Sequence, residues 1–293
     1  MAIRNVGVLG CGLMGSGIAQ VSAQAGFPTV VVEASQELLD RGLGGLRRGL
    51  DALVAKAKLD ERGRDEIMGR IKGVVGLEAF RDCDLVIEAI TEDLEQKLAM
   101  WKEVDALAKD GAVFATNTSS LPVIDQAAGT KRPQSFVGLH YFNPAQVMKL
   151  VEVVRCVTSS EDAFQTALQF AQSQGKLAIP TKDKAGFIVN RLLIPYMLDA
   201  VRAYEEGVGS AHEIDEAMKA GAAHPMGPLT LADFVGLDTL GAVSDVMFDE
   251  FRERRFARPP LLRKMLAAGW YGRKSGIGFY DYSGEAPVEN PGI

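Results

Sequence analysis

Val6-Gly7-Val8-Leu9-Gly10-Cys11-Gly12-Leu13-Met14-Gly15 is the stretch whose reading decides the fold. Val6–Leu9 reads as a short buried strand, and three glycines follow at the G-x-G-x-x-G spacing. A helical pattern then turns Ile18, Val21 and Ala25 inward until Gly26 stops it. Thr29-Val30-Val31-Val32 makes a second strand that ends at Glu33. Together these form a βαβ unit with the glycines at the turn into its helix. Gly10 permits the tight turn, Gly12 lets a pyrophosphate approach the backbone, and Gly15 lets the helix pack close to the strand. The helix start offers unpaired N–H groups and a positive dipole end to phosphates. Glu33 lies 18 residues beyond Gly15, where a carboxylate accepts both hydroxyl protons of an adenosine ribose. Ala34 and Ser35 follow it in place of an arginine that could take a 2′-phosphate, so the site is read as selecting NAD over NADP. Read only as turn glycines, the triplet leaves Glu33 unexplained.

Around this unit, 293 residues are enough for a large core and two domains. A 47% hydrophobic and 24% charged composition is that of a soluble globular protein. No apolar run approaches the ~20 residues of a membrane span, and the first residues run into a strand without a signal-like segment. Three cysteines lack metal-ligand spacing and leave one unpaired, which suits a reducing cytoplasm and gives no metal site. A net charge of −6 argues against nucleic acid as a partner. Only the tail from Ser283, with Pro287 and Pro291, reads as loose.

After Glu33 a long helical region is expected over residues 36–71. Residues 41–72 hold nine Arg or Lys against five acids. That excess is either a solvated helical face or a basic arm for a phosphorylated substrate, with Lys56 the leading candidate. Val74-Val75 and Leu85–Ile90 read as buried strands, and Glu92 and Lys97 open a helix carrying Leu98, Trp101, Val104 and Leu107. The next strand, Val113–Thr116, runs into Asn117-Thr118-Ser119-Ser120. Ligands of open α/β sheets bind outside the carboxyl ends of strands, so this polar cluster is placed for binding. Ser120 is expected to cap a helix starting near Pro122, leaving Ser119 for a ligand.

Phe136–Tyr141 and Leu150–Val154 are nearly continuous apolar strands, each interrupted by one titratable residue, His140 and Glu152. A carboxylate in such surroundings is costly unless paired, and His140, twelve positions back, is the nearby partner of suitable type. A lone buried histidine is usually structural. One facing a buried glutamate beside a dinucleotide site is read as catalytic. A helix over 163–174 and a strand over 177–181 close the sheet, and 182–186 reads as a linker. Beyond it the chain is helical, beginning with a long helix over 187–206 that aligns Asn190, Ile194, Met197 and Val201. His224, in a turn, is read as structural. The domains are set at 1–183, a NAD-binding unit with an inserted basic helical arm, and 184–293, a helical substrate and dimerisation unit.

Six motifs carry a family resemblance: Gly10–Gly15, Asn117-Thr118-Ser119-Ser120-Leu121, His140-Tyr141-Phe142-Asn143-Pro144, Met148–Val153, Gly186–Arg191 and Gly227-Pro228-Leu229. In that order they resemble the (S)-3-hydroxyacyl-CoA dehydrogenases, most of all those acting on 3-hydroxybutyryl-CoA. The resemblance implies a Rossmann-like doubly wound sheet followed by a smaller all-helical domain, and a homodimer. By motif it places catalysis on His140 and Glu152, supported by Ser119 and Asn190. NAD contacts fall on Gly10, Cys11, Gly12, Leu13, Met14, Gly15, Glu33, Glu92, Lys97, Ser119, Asn143 and Lys274. Acyl-CoA contacts fall on Ser119, Asn190 and Lys56, although a second basic position of relatives is Ala52 here. No hydratase-like extension is present in the sequence, so a multifunctional enzyme is not expected.

The chemistry implied is hydride transfer, with His140 as general base and Glu152 fixing its tautomer. Two alternatives stay open: a dehydrogenase of a free hydroxy acid or sugar acid, and a nucleotide-sensing protein without turnover. The basic arm speaks against the first and the His140–Glu152 pair against the second.

Overall fold

The central strands of the first unit are buried on both faces because helices cover both, whereas its two edge strands stay partly exposed. A computed structural model describes residues 3–293. The chain forms two compact units, one running to Phe187 and the other from Ile188 to Ile293. Among the described residues no helix is long and apolar enough to cross a membrane.

In the first unit, strands β1 (Val6–Leu9), β2 (Thr29–Glu33), β3 (Ile71–Val75), β4 (Leu85–Glu88), β5 (Val113–Thr116), β6 (Phe136–Tyr141), β7 (Leu150–Arg155) and β8 (Leu177–Lys182) form one sheet. Its order is β3-β2-β1-β4-β5-β6-β7-β8. Pairing is parallel except between β6 and β7. Neighbouring residues of a strand feed opposite layers, as the pleat requires. Ile87, Val137 and Leu139 join one apolar layer with Ile18 and Phe170, whereas Val86 and Phe136 join the other with Trp101 and Phe114. Helices α1 (Leu13–Gln24), α2 (Gln36–Ala55), α3 (Glu61–Gly69), α4 (Leu94–Leu107), α5 (Val123–Ala128) and α6 (Glu161–Ser173) make the connections. The order reverses between β1 and β4, which is where doubly wound sheets hold ligands.

The second unit contains α7 (Val189–Glu205), α8 (Ala211–Ala222), α9 (Pro228–Val235), α10 (Leu237–Phe251) and α11 (Pro260–Ala267). They close around Leu198, Val201, Leu229, Leu237, Leu240 and Met247.

Four local expectations are corrected. The helical stretch 36–71 is two helices, because Asp60 accepts from Gly63 N–H at 2.7 Å and caps α3, so the chain must leave α2 first; Ile71 already belongs to β3. Ser120 does not cap α5. The Asp183 carboxylate does, taking the N–H groups of Val123 and Ile124 at 3.0 and 2.8 Å. The stretch 182–186 is therefore no plain linker: Lys182 ends β8 and Asp183 is a cap. The tail is also held. Strands β9 (Tyr280–Asp281) and β10 (Val288–Glu289) pair antiparallel, and buried Asn290 donates to the Gly278 carbonyl at 2.8 Å.

Candidate active site

The glycine loop sits at the carboxyl end of β1, and each glycine meets a different environment. Gly10 has φ 93°, and a side chain there would also strike the Ala89 carbonyl oxygen, 2.6 Å from the Cβ position. A Cβ on Gly15 would lie 1.9 Å from the Gly10 carbonyl oxygen, so the first turn of α1 depends on that absence. Gly12 would meet nothing within 4 Å. No protein contact requires a glycine there, and the open backbone at the start of α1 is the cradle that a pyrophosphate would fill. Leu13 is exposed beside it, while Cys11 is buried, with its thiol pushed up to about 11 by burial and by the Glu33 charge.

Glu33 closes the loop from β2. Its carboxylate accepts from Cys11 N–H at 2.9 Å and Ala34 N–H at 2.8 Å. Two N–H groups leave further lone pairs on a carboxylate, enough for ribose hydroxyls. Beside it lies a cavity of about 340 Å³ with Val75, Leu77, Ile90 and Met100 in its walls, an apolar slot next to a polar edge. The residues therefore suit an adenosine.

Across the switch point, Glu92 gathers the chain after β5. Its Oε1 accepts from Thr118 Oγ1 (2.5 Å), Ser119 N–H (2.9 Å), Ser120 N–H (3.1 Å) and Ser120 Oγ (3.1 Å). Its Oε2 lies 2.9 Å from Lys97 Nζ. Burial opposes ionisation of Glu92, but the Lys97 ammonium, the Thr118 hydroxyl and the Ser119 N–H outweigh it and hold the carboxyl at about 2. Ser119 is half-buried on this loop. Lys97 is placed inside the protein, 1% exposed, rather than on a cavity wall.

His140 and Glu152 stand directly opposite in the antiparallel β6–β7 pair, with Nδ1 2.7 Å from Oε2. Glu152 is fully buried and His140 is 6% exposed. A carboxylate can only accept, so Nδ1 carries the proton between them, and in the neutral ring Nε2 keeps its lone pair. Phe142 and Phe187 flank the imidazole at ring-centroid distances of 4.5 and 5.4 Å. The Asn117 side chain accepts Tyr141 N–H at 2.9 Å where β5 and β6 part. The sequence reading placed Asn117 in the polar cluster for binding and gave Phe142 and Phe187 no role beyond their motifs; nothing in the spacing of Asn117 or Phe187 marks the contact it makes. Glu88 was also missed, although it interrupts an apolar strand just as His140 and Glu152 do.

Asn143, Lys56, Asn190 and Lys274 are the other expected site residues. Asn143 is exposed after β6, and Lys56 is exposed at the end of α2. Asn190 is half-buried in the first turn of α7. Lys274 is exposed and ion-paired with Asp238 at 2.5 Å. His224 has a structural environment, its Nδ1 2.9 Å from the Tyr196 hydroxyl.

Residues 5–184 match the NAD binding domain of 3-hydroxyacyl-CoA dehydrogenase, and residues 186–282 match its C-terminal domain. The chain belongs to the 3-hydroxyacyl-CoA dehydrogenase family. It is 45% identical over 283 residues to the 3-hydroxybutyryl-CoA dehydrogenase of Mycobacterium tuberculosis, covering 96% of this chain and 99% of that one. The Clostridioides difficile enzyme of the same name is 42% identical over 276 residues, covering 94% and 98%. The crystal structure of (S)-3-hydroxybutyryl-CoA dehydrogenase from Ralstonia eutropha superposes with a TM-score of 0.94 at 40% identity, covering 97% of this chain and all of that one. This family member thus matches its relatives over both units.

Proposed function

We propose that this chain interconverts (S)-3-hydroxyacyl-CoA, 3-hydroxybutyryl-CoA in particular, and 3-oxoacyl-CoA with NAD. The observation that carries the reading is the buried His140–Glu152 pair within a chain of this family. NAD, when bound, supplies the hydride acceptor at the substrate carbon. His140 Nε2 takes the hydroxyl proton, and Glu152 fixes the tautomer and stabilises the imidazolium. Phe142 and Phe187 hold the ring and limit water around it. Ser119 binds the substrate oxygen, on a loop whose shape Glu92 sets. The roles of Asn190, Asn143, Lys274 and Lys56 rest on the family motifs alone. NADH oxidation with acetoacetyl-CoA and longer 3-oxoacyl-CoA esters, with free acetoacetate alongside, tests the reading. Turnover confined to the CoA esters supports it, and oxidation of the free acid alone would replace it by the hydroxy-acid alternative.

Glu33 is proposed to select NAD. A carboxylate facing a 2′-phosphate repels it, so kcat/KM should be higher with NADH than with NADPH. Equal or better efficiency with NADPH would sink this assignment.

A homodimer through the helical unit is also proposed. Leu229, Leu237 and Leu240 lie in the unit's own core, whereas Leu192 and Phe234 remain 65% and 53% exposed. Light scattering at micromolar concentration should give twice the chain mass; a monomer would end the proposal. A cytoplasmic setting is supported by three buried free thiols, Cys11, Cys83 and Cys156.

A further inference from the structure

Behind the Ser119 loop lies a charge network that the proposed chemistry does not use directly. Glu88 ends β4, in register with Leu9 of β1 and Thr116 of β5, and is fully buried. Its Oε1 accepts from Ile90 N–H and Lys97 Nζ, both at 2.8 Å. Its Oε2 accepts from Thr116 Oγ1 at 2.7 Å and Lys97 Nζ at 3.0 Å. The Lys97 ammonium has three protons, and its carboxylate neighbours are the two oxygens of Glu88 and Oε2 of Glu92. At 1% exposure the ammonium is turned to these three oxygens and almost wholly removed from water.

We infer that Glu88 is a positioning residue: it anchors Lys97, Lys97 holds Glu92, and Glu92 fixes the Thr118–Ser120 backbone that presents Ser119. The physical reason is the cost of burying an ammonium. With Glu88 accepting all four of these contacts, Lys97 stays in one place despite burial. Glu92 is then left with one oxygen for Lys97 and the other for the loop. The loop's two N–H groups and three hydroxyls, that of Ser119 more distantly at 3.5 Å, are oriented by a charge rather than by solvent. Lys97 therefore bears on the loop through Glu92, with Glu88 as the fixed end of the chain.

The inference rests on the reading of Ser119 as a ligand contact, and its test separates the two. The Glu88→Gln variant keeps the volume and weakens the hold on Lys97. NADH affinity is read by the fluorescence of the bound nucleotide, and turnover is read with acetoacetyl-CoA. The expected result is a roughly tenfold to hundredfold loss in kcat with a smaller rise in KM, and weaker NADH binding, since a misplacement of about 1 Å costs on that scale. In a Ser119→Ala background the same change should add little to the loss in kcat, because both act through one loop. General destabilisation would instead leave the two losses multiplicative, and that outcome overturns the inference. If Glu88→Gln does not fold, Thr116→Val removes one donor to Glu88 and should move NADH affinity and kcat in the same direction by less. Wild-type behaviour of Thr116→Val in that case, or of Glu88→Gln itself, also overturns it. The NADH-binding arm reads out even if acetoacetyl-CoA proves not to be a substrate.

Discussion

A His140→Ala variant is expected to lose about 10²-fold or more in kcat while cofactor affinity stays nearly unchanged. The imidazole is the only group on β6 that can take a proton at working pH, and its Nδ1 is committed to Glu152 at 2.7 Å. Glu152→Gln keeps the shape but offers an amide N–H where a carboxylate stood, so the other tautomer becomes competitive. That variant should lose kcat more than it raises KM. Both changes break one proton path, so the double variant should be little worse than His140→Ala alone. Steady-state kinetics of the three variants decide the matter. Losses that multiply in full, or near-normal turnover by His140→Ala, would dissolve the pair as a catalytic unit.

The largest effect on stability is expected from Asp215→Ala in the helical unit. Asp215 is 3% exposed on α8, and its carboxylate accepts from four donors. These are Leu229 N–H (2.8 Å), Thr230 N–H (2.9 Å), Thr230 Oγ1 (2.6 Å) and the Tyr280 hydroxyl (2.9 Å). It therefore caps α9 from a different helix and ties the C-terminal segment to the same point. The fit needs Gly227, whose Cβ would lie 2.3 Å from that of Asp215, and Pro228, which brings no N–H of its own to satisfy. The two hydroxyls can turn to other acceptors, but each fixed N–H left without a partner costs about 1–3 kcal/mol, so removing the carboxylate should cost roughly 2–6 kcal/mol. That is a large share of the ~5–15 kcal/mol by which a domain is stable. Urea unfolding followed by circular dichroism should show the midpoint falling with the slope retained. A loss below about 1 kcal/mol would show that water replaces the carboxylate freely.

The two predictions sit at opposite ends of what could be read in advance. The strands β1, β2 and β4–β7 were legible because an apolar run buried on both faces has few other readings. The glycine loop was legible because its spacing encodes backbone geometry locally: Gly10 needs positive φ, and Gly15 needs the room a Cβ would take. His140 and Glu152 could be named as partners because each stands alone in an apolar strand, where an unpaired charge is costly. Their facing one another required the β6–β7 register, which no local pattern sets.

What the sequence could not supply are interactions whose two ends are far apart in the chain. Ser120 had the residue type and place to cap α5, yet Asp183, 60 positions on from Val123, holds that helix start. Asp215 does the same for α9 from 14 positions back. The apolar residues Leu229, Leu237 and Leu240 of the helical unit lie in that unit's own core, while Leu192 and Phe234 stay on its surface. The basic stretch after β2 was legible as helical, but the break at Asp60 was not weighed, since a cap inside a periodic pattern looks like a surface acid. Sequence alone thus determined the order of elements, the cofactor-type loop and the identity of the His–Glu pair, because each follows from periodicity, backbone sterics or the cost of burying charge. Tertiary structure alone decided which carboxylate meets which donor, and with it the caps, the Glu88–Lys97–Glu92 network and the placing of Ser119, because a hydrogen bond is chosen by distance in space and not along the chain.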